Sequence, residues 1–197
     1  MTGWAVSAHR SVAALRLTDH TPLAKVSVKA SWDGPMSAFL GVRFGRVARQ
    51  TWEHAPESSE VLLTGSAPGE WLALAAPGQQ AALCLWLEKT ASRADELVTV
   101  VDMTHGRALV RLTGARSPDL LAKECGLDLG AAAFPDASAR RSVLARVSTD
   151  VVRDDRGGTR SYLLHCERSS GQYLVDSLLD SGRGYGVEAD GFVPPGI

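Results

Sequence analysis

An approximate internal repeat constrains the fold of this 197-residue chain more than any other feature of its sequence. A strand-like segment leads into a proline-initiated helix at Pro35 and again at Pro118, and another strand precedes a later helix at Trp71 and again at Tyr162. The two repeat distances differ, so one half carries a longer loop. Two strand-helix-hairpin-helix halves, roughly residues 12–96 and 97–197, predict a single α+β domain whose antiparallel sheets are covered by helices. Chance similarity between two α+β segments is the alternative.

The first half begins with an alternating strand over residues 23–30. Asp33 is a candidate cap for the short helix that follows. No period holds over residues 46–59, which predicts irregular structure there. Residues 61–75 then resemble a hairpin, and an apolar-rich stretch predicts a helix over residues 79–89.

The second half follows a similar order. Arg107–Thr113 predicts a strand, and a helix begins at Ser117, whose hydroxyl can cap it, and ends at Gly126 as a left-handed cap. Residues 142–153 alternate like one strand and return as a second strand over residues 159–166. Ser169 or Ser170 caps a last helix that Gly182 ends.

Composition excludes several classes of protein. With 45% hydrophobic and 22% charged residues, the chain resembles an ordinary globular protein, and a net charge of −1 gives no electrostatic basis for binding nucleic acid. No apolar run approaches the ~20 residues of a membrane span, and the N-terminus lacks the pattern of a signal peptide. The sequence therefore predicts a cytoplasmic protein that binds neither nucleic acid nor membrane.

The cysteines and histidines show no spacing typical of a site. Cys84, Cys125 and Cys166 form no CxxC pair, which favours free buried thiols over a zinc site or a disulfide framework. His105 lies in a bend between two strands, either as a turn residue or as a base without a visible partner. The glycine-rich residues 182–186 follow a helix instead of opening one, so they offer no phosphate loop. The sequence therefore predicts no catalytic, cofactor-binding or metal-binding residue in this chain.

Tryptophan and arginine suggest a surface for a partner. Trp4, Trp32 and Trp52 lie in segments of weak periodicity, where they suit either a partner surface or local packing under loops. Residues 46–60, with Arg49 and Trp52, are the predicted interface. The arginine-rich residues 140–160 are interpreted as a solvated or interface face and not as a phosphate grip.

The stretch V-D-M-T-H-G-R-A-L-V-R-L-T-G, residues 101–114, resembles the D-L-T-H-G-R-A-L-x-R-L-x-G signature of sarcosine oxidase gamma subunits. The likeness continues through residues 119–123, 126–129 and 133–135, and residues 22–26 and 68–72 resemble two further motifs of the family.

This resemblance implies a gamma subunit with the folate-binding fold of glycine-cleavage T-proteins and no known catalytic residue of its own. It also implies a heterotetramer in which alpha and beta flavoprotein subunits carry FAD, FMN, NAD and the tetrahydrofolate site, and a small delta subunit binds zinc. Such a complex converts sarcosine to glycine, passes the one-carbon unit to tetrahydrofolate and yields hydrogen peroxide.

The sequence departs from active T-proteins where their chemistry lies. These proteins carry Gly-Gly-x-x-Asp-Asp on a central hairpin, and the acidic pair contacts folate. The corresponding residues here, 146–150, lack the glycines and keep one carboxylate, Asp150, which we expect to be ion-paired beside Arg146 and Arg153. The alternative function is a stand-alone folate-binding or aminomethyltransferase-like protein, with Asp150 in a central cavity.

Overall fold

The structure, a computed structural model, describes residues 15–54 and 57–192. In chain order its strands and α-helices are β1 (Leu15–Asp19), β2 (Ala24–Lys29), α1 (Pro35–Leu40), β3 (Val47–His54), β4 (Glu57–Ala67), β5 (Glu70–Ala75), α2 (Gln80–Ala91), β6 (Thr99–Asp102), β7 (Arg107–Thr113), α3 (Ser117–Glu124), β8 (Ala139–Leu144), β9 (Val147–Arg153), β10 (Ser161–Glu167), α4 (Gly171–Gly182) and β11 (Val187–Asp190).

The described residues divide into two compact units. Unit 1 contains residues 15–21 and 106–192, and unit 2 contains residues 22–105 apart from 55–56. The unit 2 sheet has the strand order β3-β4-β5-β2-β6 and is antiparallel throughout. The unit 1 sheet has the order β11-β1-β7-β10-β9-β8, and only its β1–β11 pair is parallel. The predicted α+β class with antiparallel sheets is confirmed.

Each unit contains the order strand, helix, three-stranded meander, helix, strand. The sequence predicts a hairpin where the structure has this meander, because β3 was missed and β8 and β9 were predicted as one strand. The boundaries at residues 21/22 and 105/106 place β1 with the second half and β6 with the first. A single domain of repeated halves, 12–96 and 97–197, stays a prediction.

The unit 2 core follows from alternation along β2. Val26 and Val28 point to one face of the sheet, where they join a buried cluster with Trp71 of β5. Leu83 and Leu87 of α2 lie on one side of that helix because residues four apart share a face, and they cover the cluster.

In unit 1, two helices cover the core face of the sheet. Leu120 of α3 and Leu174 of α4 belong to the same buried cluster as Val110 of β7. Glycine permits close approach at the end of α4, because a Cβ on Gly182 would lie 2.3 Å from Cγ2 of Val187. The predicted end of this last helix at Gly182 is confirmed.

The prediction of irregular structure over residues 46–59 is wrong. Val47–His54 forms β3, which pairs with β4 along its whole length. The core-facing side of β3 carries Ala48 and Trp52 as its apolar residues, which is too little alternation to predict a strand. The pairing partner, and not the local sequence, makes this segment a strand.

The prediction of one strand over residues 142–153 is also wrong. The chain turns at Ala145 and Arg146, whose φ angles are 49° and 67°, and so divides the segment into β8 and β9. A two-residue turn with both φ angles positive usually contains glycine, asparagine or aspartate, and this one contains none. The sequence therefore gave no turn signal at this position.

The predicted helix caps differ from the structure. Gly34, not Asp33, occupies the N-cap of α1, and the carboxylate of Glu96 accepts a hydrogen bond of 2.6 Å from the backbone N–H of Met36. Helix α3 ends at Glu124, before Gly126, because Cys125 is already extended.

The serines predicted to cap α3 and α4 also act differently. The hydroxyl of Ser117 donates to the carbonyl of Gly114 instead of accepting a free helix N–H. Ser170 does occupy the N-cap of α4, but its side chain makes no capping hydrogen bond.

Candidate functional site

Three polar side chains form a row across neighbouring strands of the unit 1 sheet. In the strand register, Asp150 of β9 lies opposite Arg141 of β8 on one side and opposite His165 of β10 on the other. Arg141 donates from Nε to Oδ1 of Asp150 at 2.7 Å, and Nδ1 of His165 lies 3.4 Å from Oδ2. Asp150 and His165 are each 7% exposed. We call Arg141, Asp150 and His165 the polar row.

The polar row keeps Asp150 ionised. Burial alone would raise its pKa, but hydrogen bonds from His165 and Arg141, together with their positive charges, outweigh burial and hold the pKa of Asp150 below its ordinary value. A carboxylate that already accepts a hydrogen bond from a guanidinium and lies beside a ring nitrogen of His165 is a weak proton acceptor. The polar row is therefore suited to linking the three strands β8, β9 and β10 around a carboxylate whose charge is compensated, and not to acid–base chemistry.

A second buried ion pair lies on the same face of the sheet. Arg111 of β7 donates from Nη2 to Oδ2 of Asp154 at 2.8 Å and from Nη1 to the hydroxyl of Ser161 at 2.9 Å. Nε of Arg156 lies 3.1 Å from the same carboxylate oxygen. Such pairs compensate the cost of burying charge on this face.

The expected neighbours of Asp150 were wrong, although ion pairing itself occurs. Arg146 lies in the turn between β8 and β9 and makes no ion pair with Asp150. Arg153 binds Asp155 at 2.8 Å and the carbonyl of Phe134 at 2.7 Å instead. Sequence reasoning missed Arg141 and His165, because only the strand register brings them beside Asp150.

The Thr-His-Gly-Arg stretch has a structural role in the turn between β6 and β7. The hydroxyl of Thr104 accepts a hydrogen bond of 3.0 Å from the backbone N–H of Lys25, and the backbone N–H of Thr104 donates to Asp102 at 2.8 Å. His105 is exposed in this turn, as its interpretation as a turn residue predicts.

Trp52 cannot be the exposed anchor of the predicted interface on residues 46–60, and the interface itself stays a prediction. Trp52 is 1% exposed and lies in the core of unit 2, with its ring centroid 5.8 Å from that of Trp86. Arg49 forms an ion pair with Glu60 across β3 and β4. Residues 55–56 and Trp4 lie outside the described residues, whereas Trp32 is 69% exposed.

Other features of the described residues concern metals, thiols and membranes. Within residues 15–54 and 57–192, no group of three or more histidine, cysteine, aspartate or glutamate side chains could hold a metal ion. The three cysteines are free, and burial raises the pKa of Cys166 to about 11. In the same part of the chain, every helix is too short or too polar to cross a bilayer.

Residues 57–193 match the model of the GCVT N-terminal domain. The chain belongs to this family. No curated protein sequence matches it.

Two solved structures show that the chain has the fold of the GCVT family. The heterotetrameric sarcosine oxidase from Corynebacterium sp. U-96, in complex with pyrrole 2-carboxylate, matches with a TM-score of 0.70 and 19% identity, over 93% of this chain and 90% of that chain. The glycine cleavage system aminomethyltransferase T from Bartonella henselae matches with a TM-score of 0.66 and 18% identity, over 90% of this chain. This chain spans 48% of the length of that transferase.

Proposed function

We propose that this chain is a small, non-catalytic, gamma-type subunit of a sarcosine oxidase complex. In this proposal alpha and beta flavoprotein subunits carry FAD, FMN, NAD and the tetrahydrofolate site, and a small delta subunit binds zinc. The assembled enzyme demethylates sarcosine oxidatively to glycine, with hydrogen peroxide as a product and the one-carbon unit passed to tetrahydrofolate.

The observation that carries the proposal is the extent of the structural likeness. The match spans 90% of one chain of a heterotetrameric sarcosine oxidase but 48% of the aminomethyltransferase. The signature over residues 101–114 supports the same assignment.

The polar row supports a role without folate chemistry. The family's folate contact is an acidic pair, and this chain has Asp150 alone at the corresponding place. Its carboxylate is engaged by Arg141 and His165, so it does not fit the family's role of a folate ligand. Moving this buried carboxylate away from these partners would leave its charge without compensation, which is costly.

Co-expression with the alpha and beta flavoprotein subunits of a sarcosine oxidase from the same organism tests the proposal. We expect a stable complex on size exclusion that releases hydrogen peroxide when sarcosine is added, and we expect the purified chain alone to show neither a flavin absorbance nor stoichiometric zinc. Omission of this chain from the co-expression is the control. A flavoprotein assembly that forms without it and with full activity would contradict the proposal.

Calorimetric titration with tetrahydrofolate separates the alternative function. The isolated chain should show weak or no binding. A dissociation constant in the low micromolar range, about −8 kcal/mol, together with its loss in Asp150→Ala, would instead support a stand-alone folate-binding protein.

A further inference from the structure

An apolar pocket of about 710 Å³ opens on the surface of unit 2. It is lined by the buried ring of Trp71, by Pro68 and by the rings of Trp32 and Phe44. Trp32 and Phe44 are 69% and 54% exposed, which is unusual for large apolar side chains that lie together. We call this cavity the aromatic pocket.

Hydrogen bonds fix the backbone around the aromatic pocket. The indole N–H of Trp71 donates to the carbonyl of Val42 at 2.7 Å, which ties the buried ring to the loop that carries Phe44. On the other side, the carboxylate of Glu96 accepts from the backbone N–H of Ser31 at 3.2 Å and of Met36 at 2.6 Å. The backbone that carries the exposed rings is therefore ordered in advance, which lowers the entropy cost of binding.

Two opposite charges border the same cavity. Asp33 and Arg43 both line the aromatic pocket, and among the described residues neither side chain has a hydrogen-bond or ion-pair partner. Elsewhere in unit 2 an arginine such as Arg49 does have an acidic partner, Glu60. A complementary ligand would bring an apolar group for the cavity, a positive charge for Asp33 and a negative charge for Arg43.

We propose that the aromatic pocket is a docking site for a partner subunit, which inserts an apolar side chain flanked by one basic and one acidic residue. A small molecule inside the cavity would leave the outer faces of Trp32 and Phe44 in water, whereas a protein surface covers both. Tryptophan and arginine are also the residues that most often dominate the binding energy of interfaces. The inference rests on the proposed function, because the partner is another subunit of that complex.

The test is assembly of the full chain with the co-expressed flavoprotein subunits, measured as an apparent dissociation constant by dilution in mass photometry. The double variant Trp32→Ala/Phe44→Ala should weaken assembly by roughly 30-fold or more, the factor of a hot-spot residue. Arg43→Glu should also weaken it. Tyr173→Ala is the matched control, because Tyr173 is 52% exposed on α4 in unit 1, and it should leave assembly unchanged.

Each other outcome overturns a distinct claim. If the wild-type chain assembles and the double variant assembles equally well, the docking site is wrong and the proposed function stands. If the wild-type chain does not assemble, both are wrong. A small molecule that mass spectrometry detects on the wild-type chain but not on the double variant, with assembly intact, would make the pocket a ligand site and overturn the inference.

Hydroxyl-radical footprinting of the wild-type complex keeps the test independent of variant folding. Oxidation of Trp32 and Phe44 should fall several-fold on assembly, and that of Tyr173 should not. Unchanged oxidation of both pocket residues in a formed complex would overturn the docking site.

Discussion

Replacing Trp52 by alanine should destabilise unit 2 strongly, because the side chain is 1% exposed and packs beside Trp86. A buried tryptophan removes about 150–250 Å² from water, which at about 25 cal/mol per Å² corresponds to about 4–6 kcal/mol as an upper bound. Truncation of large aromatic core residues costs about 3–5 kcal/mol. Since the free energy of unfolding of a natural protein is about 5–15 kcal/mol, the variant should keep only a small part of it.

Urea unfolding of the isolated chain, followed by far-UV circular dichroism, measures this effect. The midpoint of Trp52→Ala should fall by more than about 1 M relative to wild type. Trp32→Ala is the matched control: the same substitution is made at a side chain that is 69% exposed, and the free energy of unfolding should change by about 0.5 kcal/mol or less.

Equal midpoints for the two variants would refute the reasoning. Such a result would mean that the side chain of Trp52 contributes no more to the free energy of unfolding than the exposed side chain of Trp32. The assignment of Trp52 to the core would then be wrong.

Three further predictions use thermal or urea unfolding of single variants. Glu96→Ala should lower the free energy of unfolding by about 1 kcal/mol, because it removes the acceptor at the start of α1, while Asp33→Ala should leave it unchanged. Asp150→Asn should be less stable than wild type by roughly 1–2 kcal/mol at pH 7. Because folding lowers the pKa of Asp150 from 3.8, this difference in the free energy of unfolding should be complete above about pH 4 and should shrink at lower pH. A difference that does not change with pH would contradict the prediction. Gly182→Ala should cost about 1–3 kcal/mol through overpacking, whereas Gly184→Ala, whose added Cβ meets nothing within 4 Å, should be neutral.

Much of the fold could be predicted from local patterns. The strand β7 and the helices α2 and α4 were found because their apolar residues recur at the period of their structure and because Gly182 ends the last helix. The strand β3 was missed because its stability comes from pairing with β4 and from one buried ring, Trp52, both non-local effects. The turn at Ala145 and Arg146 was missed because neither residue is typical of a positive φ angle.

The polar row shows why a site of this kind is harder to predict. Asp150 was singled out by its resemblance to the acidic motif of T-proteins, and its ion pairing was expected. Its partners Arg141 and His165 are nine and fifteen positions away in the sequence, and they become neighbours only once two strand registers are known. A one-residue shift in either register would move these side chains to the opposite face.

The division of the chain has a consequence for the order in which the protein is made. The described part of unit 2 lies within one stretch of the chain, residues 22–105, whereas β1 of unit 1 precedes this stretch and pairs with β7 and β11, which follow it. During synthesis unit 2 can complete its sheet as soon as β6 has left the ribosome. The apolar strand β1, with Leu15 and Leu17, has by then no partner, and its two neighbours appear only when β7 and then β11 are translated. Until then Leu15 and Leu17 lack the neighbouring strands that bury them in the folded protein, so β1 is a segment through which an incomplete chain could aggregate.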